Sequence, residues 1–151
     1  MQRWLSCSPF FILTTCSEDG LDCSPKGDKA GQSFHILDAS TIAIPDRRGN
    51  NRIDTLRNIV HDPRIGLLFM VPGVAVSLRV KGLASISVDS ALRHRFTLDG
   101  EMPRSVILVN VKSAYVQKDR AITRAALWDA SHFMNVDELP TSDELSKTNN
   151  T

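Results

Sequence analysis

Apolar residues in this chain fall into short alternating or continuous runs more often than into helical stripes. Phe10 to Cys16, FFILTTC, is apolar and β-branched, and lies between Pro9 and the turn Ser17-Glu18-Asp19-Gly20. The pattern predicts a first strand, reached directly from the N-terminus, and a hairpin into Leu21 to Ser24. Ser33 to Leu37 and Thr41 to Pro45 predict a second hairpin around Asp38-Ala39-Ser40. Between the hairpins, Ser24-Pro25-Lys26-Gly27-Asp28 predicts a turn, because Pro and Gly interrupt a ladder and would leave Lys26 on exposed backbone. Ile65 to Val71 is apolar on both alternating faces, the mark of a central strand covered on two sides, and Pro72-Gly73 stops it. From Val76 the alternation is clean. Val76, Leu78, Val80, Ala84, Ile86 and Val88 share one face, while Ser77, Arg79, Lys81, Ser85 and Ser87 share the other. Val106 to Val111 is again apolar on both faces.

Helical spacing is confined to three segments. Ile53, Leu56 and Val60 predict an amphipathic helix with Asn50 or Asn51 as N-cap and Pro63 as its stop. Asp89 to Leu98 predicts a second, capped by Asp89 or Ser90, with Ala91, Leu92 and Phe96 as its apolar positions and Asp99-Gly100 at its end. Asp119 to Trp128 predicts a third, on which Ile122, Ala126 and Leu127 share a face. Six or seven strands with two or three helices between them imply a mainly β fold, an antiparallel barrel with peripheral α-helices. No repeat or linker divides it. Residues 1–139 are expected to form a single domain and 140–151, almost without apolar residues, a mobile tail.

Composition narrows the function classes. With 151 residues the chain can bury a core without disulfides or metal. No apolar run approaches the roughly 18 residues that span a bilayer, and serines, a cysteine and following charges break up the apolar N-terminus, so no membrane segment or signal peptide is indicated and a cytoplasmic protein is expected. A formal net charge of +1 provides no field to recruit nucleic acid. Cys7, Cys16 and Cys23 make no CxxC and have no nearby His pair, so buried or reduced thiols are expected. His35, His61, His94 and His132 are scattered, and no metal site is assigned.

The chemistry is concentrated at the start of the first helix. Arg47, Arg48, Gly49, Asn50, Asn51 and Arg52 gather where a helix exposes unpaired N–H groups and the positive end of its dipole. That is an anion site, and phosphate is its natural occupant. The nearby GDKAGQS has no GK[ST] ending, which removes a nucleoside triphosphatase.

The wording of the same region, PDRRGNNRIDTLRN, then DPRIGLLF, then SLRVKGLA, resembles the FMN-binding split-barrel superfamily named after pyridoxamine 5'-phosphate oxidase, in its bacterial branch of FMN-dependent proteins, over Ser8 to Asp129. The resemblance implies a split barrel, an FMN cofactor and a homodimer with flavin sites at the subunit interface. It implies Arg47, Arg48, Asn51 and Arg52 around the phosphate, with Arg52 in the place of the usual phosphate-binding Lys or Arg. Lys26, in an SPKGD segment, is expected against the phosphate or ring edge, Pro45 and Asp46 beside the ring, and Ser77 at the pyrimidine edge. Arg57 and Arg64 are expected to be solvated. Relatives carry approximately CxKAxxRSxLW near the neighbouring subunit's flavin. KDRAITRAALW keeps Ala121, Arg124, Leu127 and Trp128, but has Lys118, Arg120 and Ala125 for the cysteine, lysine and serine. The expected function is a flavin-dependent oxidoreductase acting on a small-molecule substrate or electron donor, with no residue required as acid or base. The alternatives are a non-catalytic flavin- or haem-binding or sensing protein, and a structural dimer whose pocket has decayed.

Overall fold

In chain order the computed structural model has a helical turn α1 (Gln2–Leu5), strands β1 (Phe10–Ser17), β2 (Gly20–Gly27), β3 (His35–Ile36) and β4 (Thr41–Asp46), helix α2 (Asp54–His61), strands β5 (Arg64–Met70) and β6 (Val76–Ser87), helix α3 (Ser90–His94), strand β7 (Ser105–Lys118), and helices α4 (Arg120–Arg124) and α5 (Ser142–Thr148). It describes residues 2–29, 31–47 and 53–148. All seven strands belong to one antiparallel sheet in the order β2-β1-β5-β6-β7-β4-β3. It curls into a split barrel.

Alternation along the strands fills the interior. Phe11 and Leu13 of β1, Ile65, Leu67 and Phe69 of β5, and Leu78 and Val80 of β6 are buried on one face, and Phe34 enters from the segment before β3. The rings of Phe11, Phe34 and Phe69 stand 4.8–5.7 Å apart in edge and tilted arrangements, the geometry that aromatic quadrupoles favour. A smaller cluster of Ala43, Phe96 and Val106 packs on the opposite side of β4 and β7. It holds α3, which Asp89 caps through the Leu92 N–H at 2.7 Å.

Several local expectations change. The N-terminus forms α1 before β1 begins. The SPKG segment does not interrupt the ladder: β2 runs to Gly27, with Pro25 opposite Ile12 and Lys26 opposite Phe11. Proline is tolerated there because β2 is an edge strand and needs hydrogen bonds on one side only. Strand β7 extends well past Val111, its polar second half held by pairing with β6. The register shifts between Lys81 and Gly82. A Cβ at Gly82 would fall 2.7 Å from the Asn110 carbonyl oxygen, so the close approach at this bulge requires glycine. The third predicted helix shortens to Arg120–Arg124, followed by Ala126 at φ 47°. The three thiols are free, and none is buried. Helix α5 lies within segment 140–151.

Helix α2 packs only partly on the face expected: Leu56 lies against the core as predicted. Ile53 and Val60 are exposed, and the buried residues are Asn58 and Ile59. Asn58 donates from Nδ2 to Thr15 Oγ1 at 3.0 Å, so a polar residue occupies the core side because a buried hydroxyl receives it. Its N-cap is Ile53, which has no side-chain acceptor. Asn50 and Asn51 lie outside the described residues. Asn58→Ala is expected to lower stability in urea unfolding by about 1–3 kcal/mol, because it leaves the Thr15 hydroxyl buried and unpaired. The Asn58→Ala/Thr15→Val pair should lose less than the sum of the two single changes.

Candidate functional site

Strands β2 and β4 and the N-terminal end of α2 enclose a cavity of about 250 Å³. Lys26, Asp28, Ser33, Pro45, Asp46 and Arg47 are among the residues lining it, with Thr55 and Leu56 from α2. The edge position of β2 brings Lys26 to this wall. Pro45 sits where β4 has outrun β3, whose pairing with β4 involves only Ala43 and Ile42, so its missing N–H leaves no gap in a ladder. The Arg47 N–H donates to the Pro45 carbonyl at 3.1 Å, a tight turn that ends β4.

Arg47 is the best-anchored cation of the site. Its Nη1 donates to the Phe96 carbonyl at 3.1 Å, and its Nε lies 3.6 Å from Asp28 Oδ2, close enough for ion pairing and too far for a hydrogen bond. Arg47 Nε and the hydroxyl of Ser33, a residue only 8% exposed, are both buried and have no hydrogen-bond partner among the described residues. A buried donor without an acceptor is costly, and two on one cavity point to an acceptor-rich ligand. Asp46 is held by the Ser105 hydroxyl at 3.2 Å. Ser33 was missed by the sequence reading. A lone serine in GQSFHI carries no pattern, and only the closure of β2 against β4 shows it to be enclosed.

The ten residues expected at the site do not all meet. Lys26, Pro45, Asp46 and Arg47 line the cavity. Arg48, Asn51 and Arg52 lie outside the described residues. Ser77 was expected on a solvent or ligand face but is 1% exposed, and its hydroxyl donates to Asp119 Oδ2. Asp119 also pairs with Arg79 at 3.2 Å, and Arg79 Nε is a further buried donor without a partner. Along the ladders Gly27–Phe10–Met70–Ser77, Ser77 stands three strands from the cavity wall, about 14 Å across the sheet. Trp128 is half-buried, with its Nε1 donating to the Val74 carbonyl at 3.2 Å, and Arg124 is exposed at the end of α4. Of the two arginines expected in solvent, Arg57 is exposed and Arg64 is exposed but clamped by Asp62 at 2.5 Å. That clamp pulls the Asp62 carboxyl down to about 2.

A sequence profile of the pyridoxamine 5'-phosphate oxidase family matches residues 1–126. The chain belongs to this family. Similar folds are found in solved structures at low identity. HupZ of Group A Streptococcus superposes with a TM-score of 0.63 at 16% identity, over 78% of this chain and 91% of that one. General stress protein 26 of Bacillus anthracis gives 0.57 at 20%, over 77% and 89%. A protein of Mesorhizobium loti described as FAD-binding gives 0.53 at 12%, over 76% and 87%. No curated protein sequence matches the chain. Among the described residues, no cluster of His, Cys, Asp or Glu could hold a metal ion, and no helix is long and apolar enough to cross a membrane.

His35 reports on the electrostatics beside the cavity, through Arg47. It lies in β3 with its ring edge-on to Phe96 at 4.7 Å. Burial first, then repulsion from Arg47 and Arg95, holds its imidazole below the ordinary 6.5. The unfolded chain therefore takes up a proton near that value which the folded chain refuses. The penalty is absent above the unfolded value and grows as pH falls below it. His35→Gln is expected to flatten part of the loss of stability between about pH 7.5 and 5.5, read from urea midpoints.

Proposed function

We propose that the chain binds flavin mononucleotide, with the phosphate end in the cavity, and that it is a flavin-dependent oxidoreductase acting on a small-molecule substrate or electron donor. The observation that carries this reading is the pair of buried, unpartnered donors, Ser33 Oγ and Arg47 Nε, beside Lys26 in one cavity of a pyridoxamine 5'-phosphate oxidase family member. A phosphate offers the acceptors that both donors lack, and guanidinium pairs with phosphate oxygens at good geometry. Arg48 and Arg52 follow Arg47 in the sequence and add cationic charge to the same segment. The FAD-binding description of the Mesorhizobium loti protein favours a flavin. None of the lining residues is His, Cys, Met or Tyr, the side chains that ligate haem iron, so the cavity favours flavin over haem.

When bound, the flavin supplies two-electron chemistry of its own. The chain's residues then bind and orient: Lys26, Ser33 and Arg47 hold the anionic end, while Pro45 and Asp46 form the wall along which the rest of the ligand leaves. At about 250 Å³ the cavity is smaller than the roughly 300–1,000 Å³ of ordinary ligand sites. It takes one end of the cofactor, and the ring extends to surface that a second subunit would cover. A homodimer with flavin at its interface follows from this reading, with Arg124 and Trp128 of one chain serving the other. Three free cysteines suit a reducing, cytoplasmic setting.

FMN is expected to bind far more tightly than riboflavin, since two or three charge-assisted hydrogen bonds of about 1.5–3 kcal/mol each separate the two ligands. Equal affinities by fluorescence quenching would sink the phosphate site. Arg47→Ala and Arg52→Ala should each remove much of the difference, and Ser33→Ala a smaller part. For the redox assignment, NADH or NADPH should bleach the yellow protein and air should restore it. A flavin that no reductant bleaches leaves binding standing and removes the oxidoreductase. In sedimentation, a monomer fully loaded with FMN at micromolar concentration contradicts the shared site.

A further inference from the structure

The outer face of the barrel carries a second concavity, separate from the phosphate cavity. Gly66 of β5 has no side chain between Thr14 and Lys81, and the resulting groove of about 430 Å³ also takes in Cys16, Arg64 and Lys112. Its floor is mainly apolar, and no acidic side chain lines it. Arg64 is neutralised by Asp62. Lys81 and Lys112 are exposed and have no ion-pair partner among the described residues. The groove thus offers two free cations over apolar ground.

The C-terminal part of the chain has the opposite character. After Trp128 the chain runs exposed through two 3₁₀ turns, Ala130–His132 and Val136–Glu138. Phe133, Met134, Val136 and Leu139 are 51–77% exposed. An isolated exposed leucine is ordinary, but four large apolar side chains within seven residues mark a surface that binds something. Between Val136 and Leu139 stand Asp137 and Glu138, neither with an ion-pair partner among the described residues. Two free carboxylates flanked by apolar side chains face the chemistry of a groove with two free lysines on an apolar floor.

Within one chain the segment leaves its apolar side chains in solvent and does not occupy the groove. We infer that segment 133–139 of one protomer docks in the Lys81–Lys112 groove of a second copy. A twofold axis makes the contact twice, so a modest segment contributes two apolar anchors and two pairs of ionic contacts to one interface. The inference needs a second copy and no flavin. It therefore stands or falls separately from the cofactor reading.

Zero-length carbodiimide cross-linking of a mixture of isotopically labelled and unlabelled full-length protein tests it directly. The expected result is mixed-label peptides joining Lys81 or Lys112 to Asp137 or Glu138. Links confined to single-label pairs, or none, overturn the inference. In sedimentation equilibrium, Lys81→Glu/Lys112→Glu should weaken self-association by about tenfold. Adding Asp137→Lys/Glu138→Lys to that variant should restore it, which a fold defect could not do. Unchanged association in the first variant, or no recovery in the combined one, also overturns it. Flavin content read on the same samples shows whether the phosphate cavity fails with the groove or independently of it.

Discussion

Strand β6 lies against β7 in twelve cross-strand pairs, from Val76–Lys118 to Ser87–Val106, and this ladder joins the β2-β1-β5 part of the sheet to the β4-β3 part. Every feature of the site depends on how it bends. A straight ladder would hold β2 and β4 apart. The bulge at Lys81/Gly82, possible because Gly82 admits the Asn110 carbonyl, increases the local twist so that β2 and β4 approach each other. The cavity is the space left where they approach without pairing. The same ladder separates Ser77 from the row Ser87–Val106–Pro45 by ten residues, about 33 Å of strand. Ser77 is thus far from Pro45 along β6, although across the sheet it shares a row with Gly27 of the cavity wall.

The cavity has donors without acceptors, Ser33 and Arg47. Elsewhere Ser77 and Arg79 converge on Asp119, and Trp128 is pinned to Val74. The side chains around Ser77 thus have partners within the chain, apart from the Arg79 Nε. A preorganised wall of this kind contributes most when another molecule presents the ligand to it, because the side chains lose little further freedom on contact.

How much of this was legible in the sequence differs by the range of the interaction. Runs such as FFILTTC, IGLLFMV and VSLRVKGLASIS report strands because one buried face imposes period two, and the structure has strands at all three. Of the basic segment after Pro45, Arg47 lines the cavity, and Lys26, Pro45 and Asp46, expected at the same site, line it too. What failed was set by partners distant in sequence. Asn58 is buried because Thr15, forty-three residues earlier, accepts its amide proton, and helical periodicity alone selects Ile53 and Val60. Pro25 sits in a ladder because β2 has no outer neighbour, a property of sheet order and not of the tetrapeptide SPKG. Ser77 was assigned to an open face by its alternation. Asp119, supplied by the chain beyond β7, covers it. Ser33 has no local signature at all.

The charge balance of the cavity has a consequence for selectivity. Lys26 and Arg47 face Asp28 and Asp46 on the same wall, so this part of the cavity carries no net charge. The carboxylates fix their cations: Asp28 lies beside Arg47, and Asp46 is itself held by Ser105. A dianion entering next to two carboxylates meets repulsion as well as attraction, so the described residues alone discriminate by hydrogen-bond geometry more than by charge. Discrimination by charge must come from what the segment adds beyond Arg47, where Arg48 and Arg52 stand in the sequence with no acidic residue between them. The α2 N-terminus, whose N-cap Ile53 offers no side-chain acceptor to its first amides, leaves donors for the same anion. The two sets of interactions then divide the work. In the proposed phosphate site Ser33 and Arg47 would fix where the anion's oxygens lie, and the arginines that follow in the sequence would decide how strongly a second negative charge is preferred to a first.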